Sequence, residues 1–149
     1  MSAITTRQAL RSDINALASL FDNYRQFYGR ASDVSGAREF LTARFNHGES
    51  VVFIAHEDHT PVGFVQLYPG FSSVSLARTF VLNDLFVREQ WRRSGIASQL
   101  LDVAVEFAKS SGAVRLSLST AITNETAQAV YQSSGWKRDE QFYVYHFSL

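Results

Sequence analysis

Two stretches of this 149-residue chain combine residue types that can do chemistry. The first is Asn83-Asp84-Leu85-Phe86-Val87, followed after a polar connection by Arg92-Arg93-Ser94-Gly95-Ile96-Ala97. A partly alternating apolar run predicts a strand over 79–87, and an amphipathic pattern predicts a long helix opening near Ser94. The first turn of a helix has backbone N–H groups without intrahelical partners, and the helix dipole adds partial positive charge there. Together these suit a pyrophosphate. Gly95 and Ala97 keep side chains out of the way. Arg92 and Arg93 supply cationic donors, and Ser94 and Ser98 supply hydroxyls. Two arginines beside a helix start oppose its dipole, which makes more sense if an anion sits there. The alternative is a basic helix start capped by water. The spacing is neither the G-x-x-x-x-G-K-[ST] loop nor G-x-G-x-x-G.

The second stretch is Asn124-x-x-Ala127-x-x-x-Tyr131-x-x-x-Gly135-Trp136. Helical spacing puts Asn124, Ala127 and Tyr131 along one face, at i, i+3 and i+7. Asn124 also suits a helix cap.

The elements that must position these residues follow from periodicity. A first strand is expected over 4–9, with Ser12 or Asp13 capping a helix that Gly29 stops. A second helix is expected over 37–46. Strands follow over 51–55 and 62–68, with Pro69-Gly70 ending the hairpin. After the strand over 79–87 come the long helix up to Gly112, a strand over 115–120, and a short helix capped by Thr123 or Asn124. Two strands are expected last, one from Trp136 and one over 142–149.

The bulk composition narrows the function. Hydrophobic residues at 46% and only two prolines describe a globular chain, one domain over residues 1–149. Fourteen basic and fourteen acidic residues leave no net charge, which argues against a nucleic-acid partner. The absence of cysteine excludes disulfides, thiolate zinc sites and a cysteine nucleophile. His56 and His59 flank a turn and do not form the H-E-x-x-H helix pattern, so no metal is expected. No apolar run is long enough for a bilayer, and no signal core opens the chain, so we expect a cytoplasmic protein with no membrane partner.

The first stretch matches R-x-x-G-x-A and resembles the coenzyme-binding signature of the GNAT superfamily of N-acetyltransferases. The second resembles that family's last helix and strand, N-x-x-A-x-x-x-Y-x-x-x-G-F/Y, with Trp136 a mild departure. The two occur in the right order, and the resemblance covers most of the chain. It implies an α/β (α+β) single-domain GNAT fold. The sheet would be mixed, mostly antiparallel and of about seven strands, with strands 4 and 5 splayed, flanked by about four helices. It implies acetyl-CoA as co-substrate, held by Leu85, Phe86, Val87, Arg92, Arg93, Ser94, Gly95, Ile96, Ala97, Ser98, Asn124, Ala127 and Tyr131. Tyr131 would protonate the leaving thiolate; its structural alternative is a half-buried aromatic between helix and sheet.

The sequence Asn83-Asp84-Leu85-Phe86-Val87 resembles E-D-[LF]-[FY]-V of the diamine and polyamine branch. There the glutamate helps deprotonate the amine and the aspartate helps bind it. Asn83 cannot take a proton, so only Asp84 carries over, as an amine-binding or water-relayed base. Its alternative is a strand carboxylate facing solvent or pairing with an arginine. By the same resemblance the acceptor would meet Tyr24, Tyr28, Tyr68, Asn83, Asp84 and Tyr143, with Phe71 and Tyr145 nearby. Aromatic walls suit a cationic amine. Each aromatic alone is more readily explained as core. The expected activity is acetyl transfer to a primary amine of a small molecule. Acetylation of a protein or peptide amine, or a non-catalytic acyl-CoA sensor, are the alternatives. The aromatic last strand, Phe142-Tyr143-Val144-Tyr145-His146-Phe147, invites pairing with another chain and suggests a homodimer.

Overall fold

The computed structural model describes residues 3–149, which form two compact units, one ending at Ser119 and one spanning Thr120–Leu149. The first unit is an α+β sandwich about a five-stranded sheet in the order β1-β2-β3-β4-β5. Its strands are β1 (Ile4–Gln8), β2 (Val51–Glu57), β3 (Thr60–Ser72), β4 (Ala77–Val87) and β5 (Arg115–Ser117). Neighbours pair antiparallel except β4 with β5, which are parallel. Helices α1 (Ile14–Phe27) and α2 (Val34–Asn46) cover one face, and α3 (Ile96–Ser110) packs on the other.

The patterns explain the layers. Val52 and Ile54 of β2 and Phe64 of β3 point to the α1–α2 side, where Leu17, Leu20, Phe21 and Leu41 bury against them. Burying each such side chain is worth about 1.5–3 kcal/mol. On the other face the Phe107 ring of α3 sits between Phe53 and Phe80, 5.5 Å from each. Ile96, Leu100, Leu101 and Ala104 bury along the same helix.

Several boundaries differ from expectation, each for a local reason. Asp13 does not cap α1 with its side chain. Its carboxylate instead accepts from the Leu10 N–H at 2.7 Å and is gripped at both oxygens by Arg7. The guanidinium holds the Asp13 pKa down to about 2. Helix α2 begins at Val34, three residues early, because the Asp33 side chain accepts from the Gly36 N–H. Strand β3 continues through Pro69 to Ser72. Pro69 lies beyond Val51↔Leu67, the last rung to β2, where one edge of β3 has no strand partner and a missing N–H is tolerated.

Buried Asp22 ties the end of α1 to the loop that follows. It accepts from Gln26 Nε2 at 2.9 Å, Ser32 Oγ at 2.7 Å and the Asp33 N–H at 2.6 Å. Burial pushes its pKa up, but the three donors outweigh burial and hold it below the usual value. Its stabilising contribution is therefore present above the ordinary carboxylate range and lost as the pH falls through the lowered value. Asp22→Ala orphans these donors, and we expect a cost of about 3 kcal/mol. In a thermal melt this is a fall in Tm of roughly 6–12 °C.

The second unit contains α4 (Glu125–Ser133), which Asn124 caps by accepting the Ala127 N–H at 3.2 Å. Neither of the two strands expected from Trp136 onward forms, so the sheet has five strands among the described residues rather than about seven. A strand exists only with a ladder partner. The alternating aromatic pattern of the tail supplies the propensity without the pairing, and Phe142, Tyr143, Val144, Tyr145 and Phe147 are exposed.

Candidate active site

The expected splay between β4 and β5 is present in the first unit. The two strands pair only from Thr79↔Arg115 to Val81↔Ser117, and β4 continues alone on that edge to Val87. Its backbone groups there are offered to no strand among the described residues. Gly63 brings β3 close at this point: a Cβ on it would stand 2.7 Å from the Phe86 carbonyl oxygen. At the end of the strand, the Val87 carbonyl accepts from Arg92 Nε at 2.8 Å. The same guanidinium lies over the Phe27 and Phe86 rings, at 5.2 and 5.6 Å.

The turn from β4 into α3 prepares a helix start without a side-chain cap. Arg93 (φ +63°) and Gly95 (φ +83°) both adopt the left-handed conformation. Gly95 is the N-cap, and Gln99 is the residue whose N–H bonds back to its carbonyl, at 3.1 Å. The N–H groups of Ile96, Ala97 and Ser98 thus precede the first helical hydrogen bond and remain available to an anion. The Ser94 hydroxyl donates to the Trp91 carbonyl, which fixes the turn. Arg93, Ser94 and Ser98 are exposed at this end.

On the α1 side of the sheet lies a buried carboxylate. Asp84 is 3% exposed. Its Oδ2 accepts from Gln66 Nε2 at 2.7 Å and its Oδ1 from Asn83 Nδ2 at 3.0 Å. The Tyr24 hydroxyl donates to it as well. No arginine or lysine bonds to it among the described residues, so neither structural alternative, facing solvent or pairing with an arginine, applies. Burial raises the Asp84 pKa, and the three donors only partly restrain it. Burial and the carboxylate in turn push the Tyr24 phenol up, and do the same to Tyr68.

A β-bulge places Asp84 there. Gln66 faces Asp84 and Leu67 faces Leu82, so Asn83 is an extra residue in β4. Phe80 consequently meets Phe107 of α3, whereas Phe86 meets Tyr24 of α1, although six residues would otherwise keep them on one face. Tyr24 stacks among Phe21, Phe64, Phe86 and Tyr28. Of the expected acceptor residues, Tyr24, Tyr68, Asn83 and Asp84 come together. Tyr28 is exposed but touches Tyr24, with ring centroids 5.1 Å apart. Gln66 was not expected. Its signal was a lone amide inside the buried run Val62-Gly63-Phe64-Val65-Gln66-Leu67.

Asn124, Ala127, Tyr131 and Tyr143 belong to the second unit. The Tyr131 carbonyl accepts the Ser134 and Trp136 N–H groups, and its ring centroid is 6.2 Å from that of Trp136. Tyr143 is exposed. No cluster of three metal-binding side chains occurs among the described residues. None of their helices is long and apolar enough to cross a membrane.

Known proteins share much of this sequence and this fold. The Acetyltransferase (GNAT) family matches residues 17–136. An uncharacterized N-acetyltransferase, YhfO of Bacillus subtilis, is 46% identical over 139 residues, 93% of each chain. The crystal structure of a probable acetyltransferase superposes with a TM-score of 0.93 at 41% identity, covering 97% of both chains. At lower identity the fold recurs in two further enzymes. One is an aminoglycoside acetyltransferase from an uncultured soil metagenomic sample (19% identity, TM-score 0.85, 98% and 96% covered). The other is the ribosomal-protein-alanine N-acetyltransferase of Brucella melitensis (25%, 0.78, 97% and 100%). The splayed β4–β5 pair, the uncapped start of α3 and this match over most of the chain lead to one conclusion: the protein belongs to the GNAT family, an N-acetyltransferase whose acetyl donor is acetyl-CoA.

Proposed function

We propose that the enzyme acetylates a primary amine of a small molecule, such as a polyamine, an amino sugar or an amino-acid-like amine, by direct attack in a ternary complex. The observation that carries this reading is the buried Asp84 carboxylate, which has hydrogen-bond donors but no cation bonded to it among the described residues. A charge in such a place is costly until an opposite charge arrives, and an ammonium group supplies it. Tyr24 and Tyr68 flank the carboxylate as aromatic walls, with Tyr28 at the rim. Asn83 holds the carboxylate, and Asp84 then takes the amine proton directly or through water.

In this reading residues 1–149 act as one acetyltransferase domain, and the family match crosses the boundary between the two units. The diphosphate rests on the N–H groups of Gly95, Ile96, Ala97 and Ser98, with Arg93 and Ser94 beside it. The pantetheine arm follows Leu85, Phe86 and Val87, and Arg92 braces the end of that strand. Asn124, Ala127 and Tyr131 complete the coenzyme contacts, Tyr131 as the acid for the thiolate and Tyr143 as an acceptor contact. Tyr131→Phe then lowers the transfer rate tenfold or more with coenzyme affinity unchanged; an unaltered rate would remove Tyr131 from the chemistry. We further propose a homodimer joined through the aromatic tail, which sediments as a monomer only if this is wrong. The cytoplasm is the compartment that fits this activity.

The direct test is thiol release from acetyl-CoA with polyamines, amino sugars, amino acids and lysine peptides. Turnover with a small amine is the expected result. Turnover with peptides alone replaces this reading by protein acetylation. Coenzyme-induced thermal stabilisation without turnover on any acceptor points to a sensor.

A further inference from the structure

Gln66 is wholly buried, yet its amide is only half used. Nε2 donates to Asp84 Oδ2 at 2.7 Å, while Oε1 is buried without a partner among the described residues. Leucine or methionine at this point of the ladder would fill the space without orphaning an oxygen. The site instead holds a group that costs stability. An amide has a property no apolar side chain has: one end donates, and the other accepts. Turned about its last bond, Gln66 presents Oε1 to Asp84 where Nε2 stood.

We infer that Gln66 is a positioning residue that follows the proton on Asp84, donating through Nε2 to the carboxylate and, turned over, accepting through Oε1 from the carboxylic acid. The inference rests on the reading of Asp84 as the group that takes the amine proton. In that step an ammonium N–H bond breaks and an Asp84 O–H bond forms. The electron pair of the N–H bond stays on nitrogen as the nucleophilic lone pair, and the new acid needs an acceptor in the same buried place. Asn83 and Tyr24 also contact the carboxylate: Asn83 is held in the bulge, and Tyr24 already donates its phenol. The titratable and charged groups around Asp84 are Tyr24 from α1, Tyr28 at its C-cap, Tyr68 from β3 and, beyond Tyr68, Arg44 from α2. Of these only the phenol oxygens can accept, and Tyr24 already donates to the carboxylate, whereas Gln66 Oε1 stands without a partner among the described residues.

Carboxyl-labelled aspartate NMR of the coenzyme-free enzyme reads the Asp84 titration without any acceptor present. Gln66→Met keeps the length and apolar packing but removes both hydrogen-bonding ends. We expect the Asp84 midpoint to rise by about one pH unit, because the charge-assisted donation to the carboxylate that is lost outweighs the acceptance from the neutral acid that is lost with it. The acidic limb of kcat/KM should move by the same amount, with the KM for acetyl-CoA unchanged. Gln66→Glu, which can hold the carboxylate only by keeping a proton, should raise the midpoint further. If Gln66→Met does not fold, Gln66→Asn withdraws the amide by one methylene and should give the same direction. An Asp84 midpoint that stays put in a folded variant overturns the inference while leaving Asp84 itself in place. A midpoint that moves while the kinetic limb does not overturns the role of Asp84 in catalysis, and with it the positioning role of Gln66.

Discussion

Asp84→Asn should lower kcat/KM by roughly 10²–10⁴, the range expected for losing a positioned proton acceptor. The fold should not suffer. Burial raises the Asp84 pKa above its unfolded value, so the charged form opposes folding at neutral pH. By linkage, the wild-type protein gains stability as the pH falls through that raised value, the opposite of Asp22. Asparagine has nearly the same shape, carries no charge and still offers an oxygen to Gln66 and Tyr24. Its Tm should therefore equal or exceed that of the wild type. The pH profile adds an independent signature. The wild-type acidic limb should lie above the value of about 4 for an ordinary aspartate. In the variant only the ionisation of the amine itself should shape that side of the profile. Measuring kcat/KM across pH alongside a melt separates a chemical loss from a folding loss.

Gly95→Val should raise the KM for acetyl-CoA by about 100-fold, close to the 1.5–3 kcal/mol of a hydrogen bond to a charged group. Two effects combine. Gly95 has φ +83°, which a β-branched residue adopts only under strain of about 1–3 kcal/mol. The helix start then relaxes, and the N–H groups of Ile96 and Ala97 no longer converge. No neighbouring atom lies within 4 Å of a Cβ built on Gly95, so steric exclusion within the protein is not the cause. Isothermal titration with coenzyme A should show weak binding in the variant, and the titration of Asp84 should be unchanged. An affinity equal to wild type would separate the R-x-x-G-x-A stretch from coenzyme binding.

The regular elements of the first unit were legible because their patterns are strong. Val51-Val52-Phe53-Ile54 is short, rich in β-branched residues and followed by a turn, which reads as a buried strand, and the spacing of Ile96, Leu100 and Ala104 reads as a helix with one apolar face. Caps were legible at Asn124 but not at Asp13, whose carboxylate found an arginine that is distant in alternation but near in space. The tail misled because strand propensity describes a residue, whereas a strand is a property of two chains of hydrogen bonds. Asp84 could be named from its neighbours in sequence. Its burial could not, since alternation through β4 predicts the wrong face beyond a bulge that periodicity does not reveal. Gln66 stayed hidden because one amide in an apolar run looks like a tolerated exception until the residue across the ladder is known.

The bulge also sets which genetic changes this site can survive. Side chains on either face of β4 can drift one at a time, each with a local and repairable effect. The number of residues in the strand can drift at one place only. Losing the single codon for Asn83 would straighten β4, leave Leu82 opposite Leu67 and Asp84 opposite Gln66 on their present faces, and remove the amide that donates to Asp84. The acceptor side would keep its carboxylate with one donor fewer. Variation in length among descendants of this sequence should thus gather at the bulge and at the turns at either end of the strand.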